Sequence, residues 1–193
     1  MYLLWLSEIG FVYLGKPKIK VMSAYLESNA ELERNKVECL LNDYPEGLKK
    51  MEEIYNDIPR ALDEGLIDSA TVWEKFIEWA GREKHRTGYK ADFLDGTDAK
   101  YGSIKEWKDK KKSVKRGEYL IDRSTATITG VKKDGDLLIA VYDRWNKINH
   151  YFQIPQHAIP NYSITIEFNH QTKECSSKWD EYKTNLNNIL KHA

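Results

Sequence analysis

Residues 89–104, YKADFLDGTDAKYGSI, decide how the chain is read. A two-residue loop at Asp95-Gly96 would set Phe93 opposite Asp98 and Ala91 opposite Lys100, so neither face of such a hairpin could be buried cleanly. A three-residue loop, Leu94-Asp95-Gly96, built as a type I turn with Gly96 in the left-handed position, pairs Phe93 with Thr97 and Asp92 with Asp98 instead. The faces then separate. Ala91, Phe93, Thr97, Ala99 and Tyr101 point one way, and Lys90, Asp92, Asp98 and Lys100 the other. Two carboxylates placed directly across a strand pair are destabilising without compensation, and at Cβ separations of about 4.5–5.5 Å they can share one divalent cation. Lys100, one pleat along, adds an ammonium. Two hard oxygen ligands beside a fixed positive charge suit phosphodiester hydrolysis, in which a metal acidifies the attacking water and the ammonium balances charge at phosphorus. The competing reading makes the same residues the solvated face of an amphipathic hairpin, with a cross-strand ion pair to Lys90.

Outward from this stretch, the periodicity differs on the two sides. Upstream, Asp68-Ser69-Ala70-Thr71 offers a helix N-cap, and Val72, Trp73, Phe76, Ile77 and Ala80 form one apolar stripe of a helix expected to run to about Arg86-Thr87-Gly88. Before it, residues 23–68 read as two or three short helices broken at Tyr44-Pro45 and Ile58-Pro59, and residues 1–21 as a hairpin. Downstream, the period drops to two, with strands expected at 89–93, 97–104, 118–131, 136–143, 150–154 and 163–168. Lys133-Asp134-Gly135 is a turn between two of them. A last helix is expected over 176–192, with Trp179, Tyr182, Leu186, Ile189 and Leu190 on one face. The fold class is therefore α/β in the α+β sense: a mixed, largely antiparallel central sheet flanked by helices. Residues 1–68 form a helical region packed on a core domain of 69–193, and offer a dimer or partner surface.

The chain has 193 residues, with 30 Lys and Arg against 30 Asp and Glu, 41% hydrophobic and 12% aromatic residues. That composition describes a globular chain and excludes a uniformly basic nucleic-acid coat or an acidic disordered tail. Zero net charge hides a division. The stretch 27–78 holds fourteen acidic and six basic residues, whereas 100–116 holds eight basic and two acidic. The second stretch is where a polyanion would bind, through Lys105, Lys108, Lys110, Lys111, Lys112, Lys115 and Arg116, with Trp107 available to stack on a base. The longest apolar stretch, residues 1–15, carries Ser7 and Glu8 and falls short of the roughly 20 residues needed to span a bilayer. A cytoplasmic protein is expected, with no membrane partner and with Cys39 and Cys175 as reduced thiols.

An acid on one element followed by Asp98-Ala99-Lys100 on the next resembles the PD-(D/E)xK nuclease superfamily, the restriction-endonuclease-like fold. The resemblance covers about residues 71–104. It implies a restriction-endonuclease-like core, a Mg²⁺-dependent DNA endonuclease with Mn²⁺ as substitute, double-stranded DNA as substrate, and a homodimer. It further implies that Asp92 and Asp98 hold the metal with help from the Ala99 carbonyl, that Lys100 is catalytic, and that an acid from the preceding helix, Glu78 or else Glu74, joins them. No proline precedes Asp92 and only five residues separate it from Asp98, so Asp95 stays open as the first acid. Three other Asp/Glu-x-Lys matches, beginning at Glu106, Asp109 and Glu181, lack the turn and the upstream acid.

The five histidines show no zinc spacing, and there is no GxSxG, Walker-type or GxGxxG motif. Two rivals stand beside the nuclease reading. One is a nucleic-acid-binding module without catalysis; the other is an interaction protein that acts through its acidic helices.

Overall fold

The computed structural model describes residues 28–86, 90–104, 106–108, 123–144, 146–169 and 178–191, with backbone alone at 106–108, 123, 124 and 169. The hairpin expected within 1–21, the first half of the strand expected at 118–131, and Cys175 lie outside them.

Among the described residues, four helices precede the first strand: α1 (Asn29–Asp43), α2 (Pro45–Tyr55), α3 (Ile58–Asp63) and α4 (Ser69–Trp79). Their starts are set by side chains that take up otherwise unpaired N–H groups: Ser28 accepts from the Glu31 N–H, Asp57 from that of Arg60 and Asp68 from that of Thr71. Pro45 ends α1 and opens α2, as the sequence led us to expect. Pro59 likewise sits in a first turn, that of α3, where its missing N–H costs nothing, and the break expected at Ile58-Pro59 falls just before it, at Asn56-Asp57. The α4 stripe is as expected, with Val72, Trp73, Phe76 and Ile77 buried, but the helix stops at Trp79 rather than near Arg86. Gly81, at φ 117°, turns the chain out of the helix and frees residues 83–85 for extended pairing.

Seven strands follow among the described residues: β1 (Asp98–Ser103), β2 (Glu106–Lys108), β3 (Arg123–Thr129), β4 (Leu137–Asp143), β5 (Ile148–Ile154), β6 (Ser163–Asn169) and β7 (Lys183–Thr184), then helix α5 (Leu186–Lys191). The class is α+β. The strands form two sheets rather than the one central sheet expected: a mixed sheet in the order β1-β4-β5-β7, with β1 parallel to β4, and an antiparallel sheet in the order β2-β3-β6.

β4 shows why. Its run LLIAVYD is buried along its whole length, as befits a strand covered on both faces. Leu138 and Ala140 join α1, α2, α4 and α5 in one core. Leu137, Ile139 and Val141 join Ala126, Ile128, Ile164 and Ile166 of the second sheet in another. The layers are therefore helices, mixed sheet, antiparallel sheet. Trp73 fastens the first interface, with Nε1–H donating to the Leu138 carbonyl at 3.3 Å and its ring against Tyr151.

The helix expected over 176–192 is a correction. Residues 180–182 form a 3-10 turn and 183–184 an edge strand on β5, and only 186–191 are α-helical. The apolar residues assigned to one helical face belong to different cores. Trp179 is buried on the side of the antiparallel sheet and Leu186 and Ile189 on the side of the helices, so this segment wraps the edge of the mixed sheet and no straight helix could serve both.

A second correction concerns 89–93. Residues 87–89 are outside the described set, and 90–93 form no ladder with β1. The His85 N–H donates to the Asp92 carbonyl (2.7 Å) and the Leu94 N–H to the Glu83 carbonyl (2.9 Å), with an antiparallel bridge between Lys84 and Phe93. The backbone groups that a hairpin would give to β1 go to residues 83–85 instead. No helix among the described residues is long and apolar enough to cross a membrane.

Candidate active site

The turn that introduces β1 has the expected form. The Gly96 N–H donates to the Phe93 carbonyl and the Phe93 N–H to the Thr97 carbonyl, both at 3.1 Å, with Gly96 at φ 88°. It is a type I turn closed by a left-handed glycine. Gly96 has a second duty. The turn lies backbone to backbone on the Lys133-Asp134-Gly135 turn, and a Cβ on Gly96 would stand 2.6 Å from the Asp134 carbonyl carbon. This contact brings the start of β1 beside β4, where the Asp98 N–H donates to the Asp136 carbonyl at 2.9 Å.

Asp95 belongs to the turn. Its carboxylate accepts from the Thr97 N–H at 2.9 Å and pairs with Arg82, which also donates to the Thr97 hydroxyl. Burial pushes the Asp95 carboxyl up, but these hydrogen bonds and the Arg82 charge outweigh it and hold it below the usual carboxylate value. Of the two candidate first acids, Asp92 is the one brought to Asp98 and Lys100.

It arrives by its side chain. In parallel pairing with β4, alternate N–H groups of β1 face outward, and that of Ala99 donates to Asp92 Oδ2 at 2.9 Å. The two acids thus meet across the open edge of β1 and not across the expected strand pair. Lys100 Nζ lies 2.6 Å from Asp98 Oδ1, 3.1 Å from Asp92 Oδ2 and 3.2 Å from the Ala99 carbonyl oxygen. One ammonium collects three oxygens. Asp98 has no exposed surface, and its other oxygen accepts from the Lys132 N–H at 2.8 Å.

Burial pushes the Asp98 carboxyl up to about 6, against the opposing pull of Lys100 and the Lys132 N–H, and the neighbouring Asp92 adds to the rise. Asp92 is also pushed up by burial, yet its hydrogen bonds with Asp98, Ala99 and Lys100 hold it below the usual range. For Lys100, desolvation acts downward, but the Asp98 and Asp92 carboxylates win and its pKa is raised, so it is an ammonium at any physiological pH.

The helix acids are placed differently. Glu74 accepts from Lys84 Nζ at 2.6 Å. Glu78 is exposed near the end of α4, and its charge, with those of Glu74 and Asp92, raises the pKa of Lys84 against the effect of burial. Lys84 thus stands between the helix acids and Asp92. It was missed in the sequence because residues 81–86 were assigned to the helix; the Lys132 N–H carried no side-chain signal at all. Of the basic run, Lys108 falls in β2, an element not anticipated, with its Cα opposite Arg123. Lys105, Lys110, Lys111, Lys112, Lys115 and Arg116 lie outside the described residues.

The donor set fits a hard divalent cation in kind: two carboxylates and a backbone carbonyl, all oxygen, already converging on one positive charge. Among the described residues there is no group of three or more His, Cys, Asp or Glu side chains that could hold a metal, so solvent or substrate oxygens would complete any such shell. No family model matches the chain, and neither a curated protein nor a solved structure matches it.

Proposed function

We propose that this chain is a divalent-metal-dependent phosphodiesterase that cleaves DNA, with its site at the start of β1. The observation that carries the reading is the convergence of Asp92, Asp98 and the Ala99 carbonyl on the Lys100 ammonium. Asp92, Asp98 and the Ala99 carbonyl would hold Mg²⁺ or Mn²⁺. When bound, the ion supplies Lewis-acid charge neutralisation and a water acidified for attack at phosphorus.

The chain's own groups do the rest. Lys100, permanently charged and reached from solvent, balances the charge that accumulates on the phosphoryl oxygens. The Ala99 N–H fixes the Asp92 carboxylate and the Lys132 N–H fixes that of Asp98, so neither acid must be reordered when a cation arrives. A cation must also displace the proton from Asp98. The local excess of positive charge in 100–116 supports a polyanionic substrate.

A second reading, a nucleic-acid-binding module without catalysis, is favoured by one observation: at 2.6 and 3.1 Å, Lys100 already partners both carboxylates. Incubation of plasmid and phage DNA with Mg²⁺, with Mn²⁺ and with EDTA separates the two. Metal-dependent cutting that Asp98→Asn and Lys100→Met abolish is expected. DNA binding without cutting under any metal would transfer the conclusion to the second reading.

A further inference from the structure

Beside Lys100 a small groove runs between β1 and β3, about 210 Å³ in volume and lined by Lys36, Lys100, Tyr101, Gly102, Ser103, Thr127, Ile128 and Thr129. We propose that this groove binds a backbone phosphate of the nucleic-acid strand next to the one that is cut, held by the Lys36 ammonium and the Thr127 and Thr129 hydroxyls. The inference rests on the nuclease reading and assigns residues that neither the acid pair nor the basic run includes.

Charge selects the ligand. The lining carries two ammonium groups, the hydroxyls of Ser103, Thr127 and Thr129 and the Tyr101 phenol, while the carboxylates that pair with the ammoniums, Glu33 with Lys36 and Asp92 and Asp98 with Lys100, stand outside it. The larger groove among α1, α2 and α3 sets Glu38, Glu52 and Asp57 against Arg34, and the one beside the Asp95 turn sets Asp95 and Asp134 against Lys90, so acidic groups outnumber lysine and arginine in both linings.

Size narrows it further. The volume lies below the roughly 300 Å³ at which pockets for whole small molecules begin, and a phosphate group with part of its hydration fits it.

Lys36 is preset for the task. Glu33 holds its Nζ at 2.5 Å and is itself anchored by the Ser69 N–H at 2.5 Å. Glu33 stays ionised, because its contacts with Lys36 and Ser69 outweigh the effect of burial. The ammonium also lies 5.5 Å from the centre of the Tyr101 ring, so its position is fixed on two sides and little side-chain entropy remains to be lost on binding.

Continuity with the site supplies the remaining argument. Lys100 is shared by both, and Ser103 lies three residues further along β1, or about 10 Å at ~3.3 Å per residue. A strand with its scissile phosphate at Lys100 would therefore lay a neighbouring phosphate in the groove. The approach is close by construction: a Cβ on Gly102 would collide with Ile128 Cδ1, so the glycine lets the two sheets meet at the groove floor.

The test uses the full-length chain and a duplex oligonucleotide, with cleavage kinetics in Mg²⁺ and with anisotropy binding in EDTA over a series of salt concentrations. Thr127→Val/Thr129→Val keeps shape and strand preference, and Lys36→Met removes one charge. Both are expected to raise KM about tenfold and to lower kcat less than twofold, and Lys36→Met also to reduce the slope of log K against log salt by about 1. Asp98→Asn, in contrast, should lose kcat. If the threonine variant and Lys36→Met bind and cut like wild type while Asp98→Asn is dead, the groove proposal is overturned and the nuclease reading stands. A wild-type protein that neither binds nor cuts DNA overturns both. Circular dichroism melts confirm that each variant is folded, and the threonine variant suffices where Lys36→Met is not.

Discussion

Replacing Lys100 by Met removes the one charge between two carboxylates while keeping most of the aliphatic stem. In wild type the Asp98 carboxyl titrates at about 6 against an ordinary value of 3.8, which corresponds to a cost of about 3 kcal/mol above pH 6 at ~1.36 kcal/mol per unit. A raised carboxyl pKa means that the folded protein takes up this proton more readily than the unfolded chain. The cost is thus carried at alkaline pH and relieved as pH falls from about 6 toward 4. Without Lys100, the penalty on Asp98 is limited by protonation from the unfolded pKa, to about 6 kcal/mol at pH 8 and about 2 kcal/mol at pH 5. The difference from wild type is therefore about 3 kcal/mol at pH 8 and within about 1 kcal/mol at pH 5. Thermal melts in EDTA should show Lys100→Met about 6–12 °C below wild type at pH 8, with the gap mostly closed at pH 5. A gap independent of pH would show that the stem's packing, and not the charge, was lost. The absence of any gap at pH 8 would mean that Asp92, Asp98 and Lys100 are not mutually dependent.

Three further outcomes follow from the same contacts. Asp98→Asn removes a desolvated charge, but its single oxygen cannot serve both the Lys100 ammonium on Oδ1 and the Lys132 N–H on Oδ2, so the relief of up to about 3 kcal/mol at pH 8 is offset by about 1–3 kcal/mol for the donor left facing its amide; between pH 8 and pH 5 it should lose about 1.5 kcal/mol relative to wild type in denaturant melts. Gly96→Ala should destabilise by more than about 2 kcal/mol, combining about 1 kcal/mol of left-handed strain with the clash against Asp134. Gly130→Ala, at φ +71° with open space around it, carries the strain alone, and denaturant melts of the pair isolate the clash. Cleavage, once detected, should rise as pH increases through about 6, where Asp98 loses the proton that competes with a cation; a flat profile from pH 5 to 8 would place the cation elsewhere.

How far the chain could be read depended on whether the deciding contacts were local. The Leu94-Asp95-Gly96 turn was legible because a period-two argument separates its faces in one register only, and its hydrogen bonds are those expected. β4 was legible as a strand from its apolar run, but not its central place between two sheets, since an apolar run does not say what covers each face. The C-terminal stripe failed for a related reason: Trp179 and Leu186 share a helical period by coincidence and are drawn to cores on opposite sides of one sheet.

The site shows the same division. Asp98 and Lys100 are two residues apart on one strand, so their shared face was certain once β1 was placed. Asp92 meets them by a route no spacing rule contains, its carboxylate on the outward N–H of Ala99 and its backbone paired with residues 83–85. The choice between Asp92 and Asp95 turned on Arg82, a residue of the segment thought to be helical.

Binding of a divalent cation by Asp92 and Asp98, as proposed, is read from titration of the protein with Mn²⁺ at pH 7.5, followed by the loss of the free-ion electron paramagnetic resonance signal. One Mn²⁺ per chain is expected for wild type, displaced by excess Mg²⁺ and absent in Asp98→Asn and Asp92→Asn. A wild-type protein that leaves the free Mn²⁺ signal unchanged, or an Asp98→Asn variant that binds as tightly as wild type, would contradict the account.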